Sequence, residues 1–530
     1  MSFDLPSLDG TVAPAFTTAE ECKRWLGDQT LTNPAFMQRQ LTEQIDLLNR
    51  RVVSVAERFG MLEAMRGQIA FVQEEVSKRY AAKPFPNLKQ EAEAFTETMA
   101  LWQTLTVAYM RCLEDAAAEA AKPEILTKLT TRALVTQHAT QLDRVRGFAQ
   151  PDAMFWSRQH QLLAFAERHD IATTATTDSA VYGEQAITPL SVYTESILLH
   201  AASAHEFSSR PLNWVVRWAR RWSGKLGLRT EPPVDLQAVP INVDLTSSAP
   251  PSPFPIKSAA LRFLDTTELS KSIKSRLIAL ANGKLPADLQ LGDDCPQPAC
   301  EQMLQRLYQR WCKGGMQRPT NRQAASGTVS LATDMETIWF HIGGNPFKQP
   351  QANADDLRRQ REEIATFGRI SERHNTQIMD LAKLRVDADW QIINEAPGGL
   401  RLLRTRMDED SMRVGIGQLI AVRKSATTPF SLGSVRWLML DEEGVLHAGV
   451  NLLPGVAQAI SIRAAGVNAA KDPWRPAFVL QQQGSATQVV IPSSMFRANR
   501  VIDIQSGDVM QYKLAALLER GDDFERATVA

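Results

Sequence analysis

The stretch WQIINEAPGGLRL, from Trp390 to Leu402, decides how the C-terminal part of the chain is interpreted. On either side of its centre, large apolar residues alternate with polar or small ones, which is the period of a half-buried β-strand. The central residues, Asn394 to Gly399, are of types that favour turns. The stretch therefore predicts two short strands joined by a turn.

Similar short apolar segments continue from Arg385 to the C-terminal region, and turn-forming stretches such as Asp441 to Gly444 separate some of them. Many short strands at regular intervals are typical of an antiparallel β-barrel. The predicted strands are 389–393, 399–403, 416–422, 433–440, 446–452, 459–462, 477–480, 488–491, 501–504 and 509–517.

The N-terminal part of the chain has a helical period instead. Asn33 and Pro34 suit the cap and the first residue of a helix. Apolar residues then recur at steps of three and four from Leu41 to Val76, as in a helical bundle. We therefore expect one long helix, a second from Leu88 to Ala121 that folds back on it, and more helix to about Arg168.

These patterns predict a multidomain α plus β protein, with an N-terminal α-helical bundle and a C-terminal antiparallel β-barrel. The central part is expected to contain two helices, a short strand and a short helix, at 267–282, 298–313, 327–331 and 335–342. The expected order is a flexible tail (1–18), a helical bundle domain (19–229), a Pro-rich linker (230–256), a mostly helical central region (257–354) and a barrel domain with a leading helix (355–530). Residues 239–245 of the linker alternate like an edge strand.

Composition excludes several broad classes of protein. The 59 lysines and arginines balance 59 aspartates and glutamates, so no overall charge favours nucleic acid or an anionic membrane. No apolar run reaches the roughly 18–20 residues of a transmembrane span, and the first ten residues lack the pattern of a signal peptide. The five cysteines are too sparse for a disulfide framework, which favours a reducing, cytoplasmic location.

Motifs for catalysis are missing from the sequence. It has no phosphate-binding loop, no dinucleotide fingerprint, no nucleophile elbow and no zinc-protease motif. Cys295 and Cys300 have four residues between them, and Cys312 stands twelve further on. This is a weak signal for a metal or redox pair, because the chain has no C-x-x-C motif. We expect no enzyme, no metal and no cofactor.

A helix expected to run from about Ser191 to Leu226, with a break at Pro211, carries Trp214, Trp218 and Trp222 at steps of four among arginines. A basic helix with such a stripe can lie on a membrane surface or in a partner's groove. Alternatively, the tryptophans pack on the bundle and the arginines face water, which is the commoner arrangement.

Two short motifs point to a ligand. Asn394, Ala396 and Gly399 fit the spacing Asn/Asp-x-Ser/Ala-x-x-Gly, and upstream Arg369 and Arg373 fit Arg-x-x-x-Arg. Together these resemble PilZ domains, the β-barrel receptors for the bacterial second messenger cyclic di-GMP. The resemblance covers the C-terminal third, roughly residues 365–525, where the segments 433–438 and 448–453 also look like the paired central strands of the family.

The resemblance implies a site. Arg369 and Arg373 would clamp the ligand, because a guanidinium forms paired hydrogen bonds with a guanine edge or a phosphate. Asn394 would hydrogen-bond a guanine, whereas Ala396 and Gly399 would leave room for the ligand.

Two further arginines, Arg401 and Arg404, are candidates for additional phosphate contacts. Residues 374–385 have a helical pattern, so Arg369 and Arg373 can alternatively be read as exposed charges one turn apart on a helix.

By the same resemblance we expect a cytoplasmic, non-enzymatic receptor that relays the cyclic di-GMP level to an unidentified protein partner, with an output in motility, adhesion or pilus assembly. The N-terminal helices would supply partner contacts or self-association. One alternative is a degenerate PilZ-like scaffold that binds no nucleotide and acts through helical contacts. Another is a hydrolase or metalloenzyme that uses residues of the central region.

Overall fold

The computed structural model describes residues 3–29, 32–234, 238–315, 321–350, 384–407, 411–465, 472–482, 484 and 486–530. The chain divides into two compact units. The first unit comprises Met1–Lys83, Asn87–Pro319 and Met439–Glu443, and the second comprises Pro84–Pro86, Thr320–Leu438 and Gly444–Ala530. Helices dominate the first unit and strands the second, which confirms the predicted fold class.

The helices of the first unit share a hydrophobic core. They are α1 (Ala19–Asp28), α2 (Pro34–Arg50), α3 (Val55–Ser77), α4 (Lys89–Ala118), α5 (Pro123–Arg146), α6 (Ala153–Arg168), α7 (Ser179–Tyr182), α8 (Pro189–Ala201), α9 (Ser209–Ser223), α10 (Thr267–Ala281) and α11 (Ala299–Cys312). The predicted N-terminal bundle is confirmed, as are the second helix near 88–121 and the two helices of the central region.

The prediction of a single long helix from Asn33 is wrong, because α2 and α3 are separated by residues 51–54. Asn33 caps α2 as expected, since its Oδ1 accepts a hydrogen bond from the Phe36 amide at 3.2 Å. Ser54 caps α3, and its Oγ accepts from the Glu57 amide at 3.3 Å. Both helices bury their apolar faces in the same core, so the apolar period continues across the break and conceals it.

The break expected at Pro211 is also misplaced. The interruption lies between α8 and α9, and Pro211 is the third residue of α9. Proline is tolerated there because the amides of a first helical turn have no partner within the helix. The three tryptophans of α9 are buried. Trp214 Nε1 donates to Asp294 Oδ2, and Trp218 Nε1 to the Leu291 carbonyl, both at 2.9 Å. The packing interpretation of this helix is therefore confirmed.

Two small antiparallel sheets complete the first unit. β1 (Thr176–Asp178) pairs with β2 (Gly183–Ile187), and the short helix α7 lies between them in the chain. β3 (Gly227–Arg229), β5 (Leu261–Asp265) and β4 (Ile241–Asp244) form the second sheet in that spatial order. β4 is therefore an edge strand, as the alternation of residues 239–245 predicts.

Within the described residues, the second unit contains two closed rings of six strands. The first ring has the order β8 (Asp387–Ala396), β7 (Thr328–Thr333), β10 (Leu419–Arg423), β11 (Ser431–Leu440), β12 (Leu446–Leu452) and β9 (Gly399–Arg404), and β9 closes on β8. The second has the order β13 (Val456–Ala464), β14 (Arg475–Gln481), β15 (Gln488–Pro492), β18 (Phe524–Val529), β17 (Val509–Arg520) and β16 (Val501–Gln505). The antiparallel barrel is confirmed, and a second one adjoins it in the chain.

Side chains from α12 (Met335–Gly343) and from both barrels meet in a shared apolar cluster. It includes Ile338 of α12, Leu419 of the first barrel and Phe478 of the second. Trp339 Nε1 donates to the Ile460 carbonyl at 3.0 Å. The two barrels are therefore joined by packing as well as by the chain. The short strand β6 (Gln323–Ala324) precedes α12 and pairs with β8.

Buried ion pairs hold the β1–β2 hairpin against the helices. Both oxygens of Asp178, which is fully buried, lie 2.5 Å from Arg66 Nη2. Arg132 Nη1 lies 3.0 Å from Asp178 Oδ2, and its Nε donates to Glu63 Oε1 at 2.8 Å. The two guanidinium groups are thus neutralised by two carboxylates. Loss of one partner would leave a buried charge uncompensated.

We expect Asp178→Ala to lower the free energy of unfolding of the helical unit by about 3–5 kcal/mol. Urea unfolding followed by circular dichroism measures this effect. Asp46→Ala is the control, because it removes an exposed pair with Arg50 on one helix face and should cost under about 1 kcal/mol. Equal effects of the two substitutions would contradict the proposed importance of the buried pair.

Glu195 of α8 is a second buried acid near the hairpin and is only 1% exposed. Tyr182 donates to its Oε2 at 3.1 Å, and Arg220 Nε lies 3.7 Å from the same atom. Burial raises the pKa of Glu195 from 4.5 to about 7, although Arg220 and Tyr182 act in the opposite direction. Below about pH 7 the folded protein therefore holds Glu195 mainly as the neutral acid.

A folded-state pKa above the unfolded one means that stability is lost as pH rises. We expect the free energy of unfolding to fall between about pH 4.5 and pH 7, by about 3 kcal/mol relative to a Glu195→Gln variant. Urea unfolding at pH 5 and pH 8 tests this. Glu124→Gln, an exposed change in the first turn of α5, is the control. Parallel pH curves for the wild type and Glu195→Gln would rule out a titrating Glu195.

Candidate ligand-binding face of the first barrel

The structure places three of the predicted site residues on one hairpin, whereas Arg369 and Arg373 lie outside the described residues. Asn394 and Ala396 belong to β8, and Gly399 is the first residue of β9. Ala396 pairs with Gly399, so the turn consists of residues 397–398. The turn predicted for 394–399 is therefore too long, because the strand pairing continues to Ala396.

Alternation along β9 separates its residues between the two faces of the barrel. Leu400, Leu402 and Arg404 are buried. Since side chains of a strand alternate, Arg401 and its neighbours at 399 and 403 point to the outer face. On the adjacent strand β12, Gly449 lies opposite Arg401 in the register. This outer face carries the candidate site.

A cluster of cationic and aromatic side chains lies on this outer face. The Arg401 guanidinium carbon is 6.0 Å from the centre of the Trp437 ring, and Arg401 Nη2 is 3.3 Å from His447 Nδ1. Arg322 Nη1 donates to Asn394 Oδ1 at 3.1 Å. We call these five residues the Trp437 platform.

Glycine at position 449 makes the position of the indole possible. A Cβ atom at 449 would lie 1.9 Å from Trp437 Nε1, so any side chain there would displace the ring. Gly399 is similarly restricted, because a Cβ atom would lie 2.7 Å from the Val450 carbonyl oxygen. The two glycines therefore allow the indole and the Val450 backbone to approach the strands closely at these positions.

The platform combines the chemical groups that bind nucleotides. Two guanidinium groups can hydrogen-bond phosphate oxygens or the acceptor edge of guanine. The indole ring offers a surface on which a base stacks, and an arginine beside an aromatic ring strengthens such stacking. The arrangement suits a planar, anionic ligand.

Sequence reasoning found Asn394 and Arg401 of the platform but missed Arg322, Trp437 and His447. These three belong to separate segments of the chain, and only the pairing of the barrel strands brings them together. The available signal was Trp437 on one strand and Gly449 on its neighbour, a bulky ring beside a residue that has no side chain.

Arg404, proposed from the sequence as a further phosphate contact, does not lie on the platform. It is 2% exposed, and its guanidinium pairs with Asp387 inside the barrel. Its Nε donates to the Arg406 carbonyl at 2.7 Å, and its Nη2 to Ser411 Oγ at 3.0 Å. These bonds show that Arg404 has a structural role in the barrel.

Other candidate sites receive little support from the geometry. Within the described ranges, no three His, Cys, Asp or Glu residues are grouped so as to hold a metal ion. Cys295, Cys300 and Cys312 are buried free thiols. None of the helices in the described part of the chain has both the length and the apolar character needed to cross a membrane.

The two arginines of β9 should differ in their effect on stability. Arg404→Ala leaves Asp387 buried without its cation, so we expect a loss of about 3–5 kcal/mol in the free energy of unfolding of the barrel unit. Arg401→Ala is the matched control on the outer face and should cost under about 1 kcal/mol. Urea unfolding of the full chain measures both, and similar losses would refute the assignment of inner and outer faces.

Comparison with known proteins concerns the helical unit. Residues 20–233 match the family described as cyclic-di-GMP receptor FimW, N-terminal domain. This range contains α1 to α9 and ends before β4. The match therefore lies outside the C-terminal third, where the sequence resembles PilZ domains. No curated protein and no solved structure gives a significant match to the chain. The helical region of this chain is similar to the N-terminal domain of a cyclic di-GMP receptor.

Proposed function

We propose that the protein is a cytoplasmic, non-enzymatic receptor that binds cyclic di-GMP and relays its level to a protein partner. The observation that carries the proposal is the match of residues 20–233 to the N-terminal domain of a cyclic di-GMP receptor. The PilZ-like spacing of Asn394, Ala396 and Gly399 supports it independently, because these residues lie in the other unit.

We place the ligand on the outer face of the first barrel, over the β8–β9 hairpin. Trp437 would bind one guanine by stacking, Asn394 would hydrogen-bond its edge, and Arg401 would hydrogen-bond a phosphate. Arg369 and Arg373 would clamp the second half of the ligand from the segment that precedes β8 in the chain. Ala396 and Gly399 leave the surface between these groups free of large side chains.

Ligand binding would act by fixing the segment that carries Arg369 and Arg373 against β8 and β9. A ligand shifts such an arrangement only by the difference in its affinity for the two states, so the clamp must be weaker without the nucleotide. The partner would recognise the state in which this segment is fixed against β8 and β9. An output in motility, adhesion or pilus assembly is the expectation by analogy with PilZ receptors, and the helical unit is the proposed surface for partner contacts or self-association.

A second candidate function is a PilZ-like scaffold that binds no nucleotide. Two observations favour it: Arg322 already donates to Asn394 Oδ1 at 3.1 Å, and alanine at 396 lacks the hydroxyl group common there. The first contact occupies one of the two lone pairs of the Asn394 carbonyl oxygen, and the second observation removes a donor that a ligand would otherwise use. Direct binding measurements distinguish the two candidates.

Isothermal titration of the full chain with cyclic di-GMP tests the receptor proposal. We expect saturable binding, and a loss of at least about tenfold in affinity for Arg401→Ala and for the double variant Arg369→Ala, Arg373→Ala, because each removes charged hydrogen bonds worth about 1.5–3 kcal/mol. Arg497→Ala, an exposed change on the second barrel, should bind like the wild type.

Two outcomes would contradict the proposal. Absence of any heat with the wild-type chain would favour the scaffold. Binding that survives in both the Arg401 variant and the double variant would place the nucleotide elsewhere on the protein.

A further inference from the structure

A cavity of about 120 Å³ lies within the helical unit, apart from the proposed nucleotide site. It is formed by α3, α4, α5 and α7, with Arg220 contributed by α9. Most of its wall is apolar: Ile69, Trp102, Leu105, Val135, Leu142 and Val181. Nothing in the proposed function uses this space.

One part of the wall is polar and incompletely hydrogen-bonded. His138 is 5% exposed, and its Nδ1 lies 3.2 Å from Ser196 Oγ. Its Nε2 has no hydrogen-bond partner among the described residues, and the same holds for Arg220 Nε. A buried polar atom without a partner costs about 1–3 kcal/mol, and each such atom in a folded protein calls for an explanation.

Both nitrogens lie within ion-pair range of the same oxygen but beyond hydrogen-bond distance from it. Glu195 Oε2 is 3.6 Å from His138 Nε2 and 3.7 Å from Arg220 Nε. Burial and the nearby Arg220 lower the pKa of His138 to about 3, so its ring is neutral near pH 7. A neutral imidazole can accept a hydrogen bond from a hydroxyl group, and a hydroxyl oxygen can accept one from a guanidinium.

The β1–β2 hairpin covers one side of this cavity. Ala180 and Val181 line the cavity from α7 and are both exposed on their other side. Asp178 and Tyr182 tie the hairpin down through Arg66 and Glu195. The Tyr182 contact therefore ends at the same Glu195 side chain that lies near the two nitrogens.

We propose that this cavity binds a compact apolar molecule that carries a single hydroxyl group, with about the dimensions of phenol. Its apolar body lies against Ile69, Leu105 and Leu142, and its hydroxyl group lies at the polar end, between His138 and Arg220. The volume of about 120 Å³ is somewhat below the roughly 150 Å³ of an apolar cavity that holds benzene, so a single ring is the upper limit of size and its entry requires a small outward shift of the wall. The site is independent of cyclic di-GMP.

Fluorine NMR on the full chain tests the proposal, with 4-fluorophenol and fluorobenzene as probes. We expect the 4-fluorophenol signal to broaden and shift on addition of protein, and its Kd to be at least about fivefold lower than that of fluorobenzene, because only the phenol satisfies the buried nitrogens. His138→Phe keeps a ring but removes the nitrogen, so the two Kd values should become equal in that variant.

A cavity-filling variant keeps the test decisive if His138→Phe does not fold. Ala139 lines the cavity, and Ala139→Leu should abolish binding of both probes. Ala118→Leu, an exposed change at the end of α4, is the control and should bind as the wild type does. Circular dichroism verifies the fold of each variant.

Three results would overturn the proposal. In the first, neither probe binds the wild-type chain. In the second, a folded Ala139→Leu variant retains binding. In the third, the wild-type chain binds both probes equally, which would show that the hydroxyl group finds no partner in the cavity.

Discussion

Neutralisation of buried arginines by buried carboxylates is the constraint on which both units depend. In the helical unit, Asp178 and Glu63 together neutralise Arg66 and Arg132, and Asp178 thereby fixes a short hairpin that has little apolar surface of its own. In the first barrel, Asp387 neutralises Arg404. Because each group is removed from water, removal of either partner leaves the other as a buried charge without the ion pair that offsets its desolvation. These pairs therefore determine which arginines remain available for a ligand.

Strand register then decides the role of each arginine in β9. Arg401 and Arg404 stand three residues apart, so they point to opposite faces of the barrel. One becomes part of the interior, held by Asp387, and the other lies over an indole ring on the surface. A shift of the register by a single residue would exchange these roles. The chemistry of the outer face thus depends on the packing of the inner one.

Periodicity predicted the helices and most barrel strands, since burial on one face leaves a clear pattern along the chain. It failed where a single capping residue or a buried charged residue interrupts an otherwise regular element without changing the apolar pattern around it. Ser54 begins a new helix inside a continuous apolar period, and β18 escaped prediction because one of its buried positions is a charged residue, Glu525, which pairs with Arg520. Spacing identified Asn394 and Gly399, but the platform also needs residues that only barrel closure brings near, and no local pattern records such pairing.

The proposed receptor function carries a thermodynamic condition. The family match lies in the helical unit, and the PilZ-like residues lie in the barrel unit. If a partner binds more tightly when cyclic di-GMP is present, the partner must raise the affinity for the nucleotide by the same factor, because linkage is reciprocal. The Arg322–Asn394 contact uses one lone pair of the Asn394 carbonyl oxygen, so the second lone pair and the Nδ2 donors can still bind a ligand. In the proposed function Arg322 therefore holds the Asn394 amide in position, and loss of that contact would lower the affinity for the nucleotide.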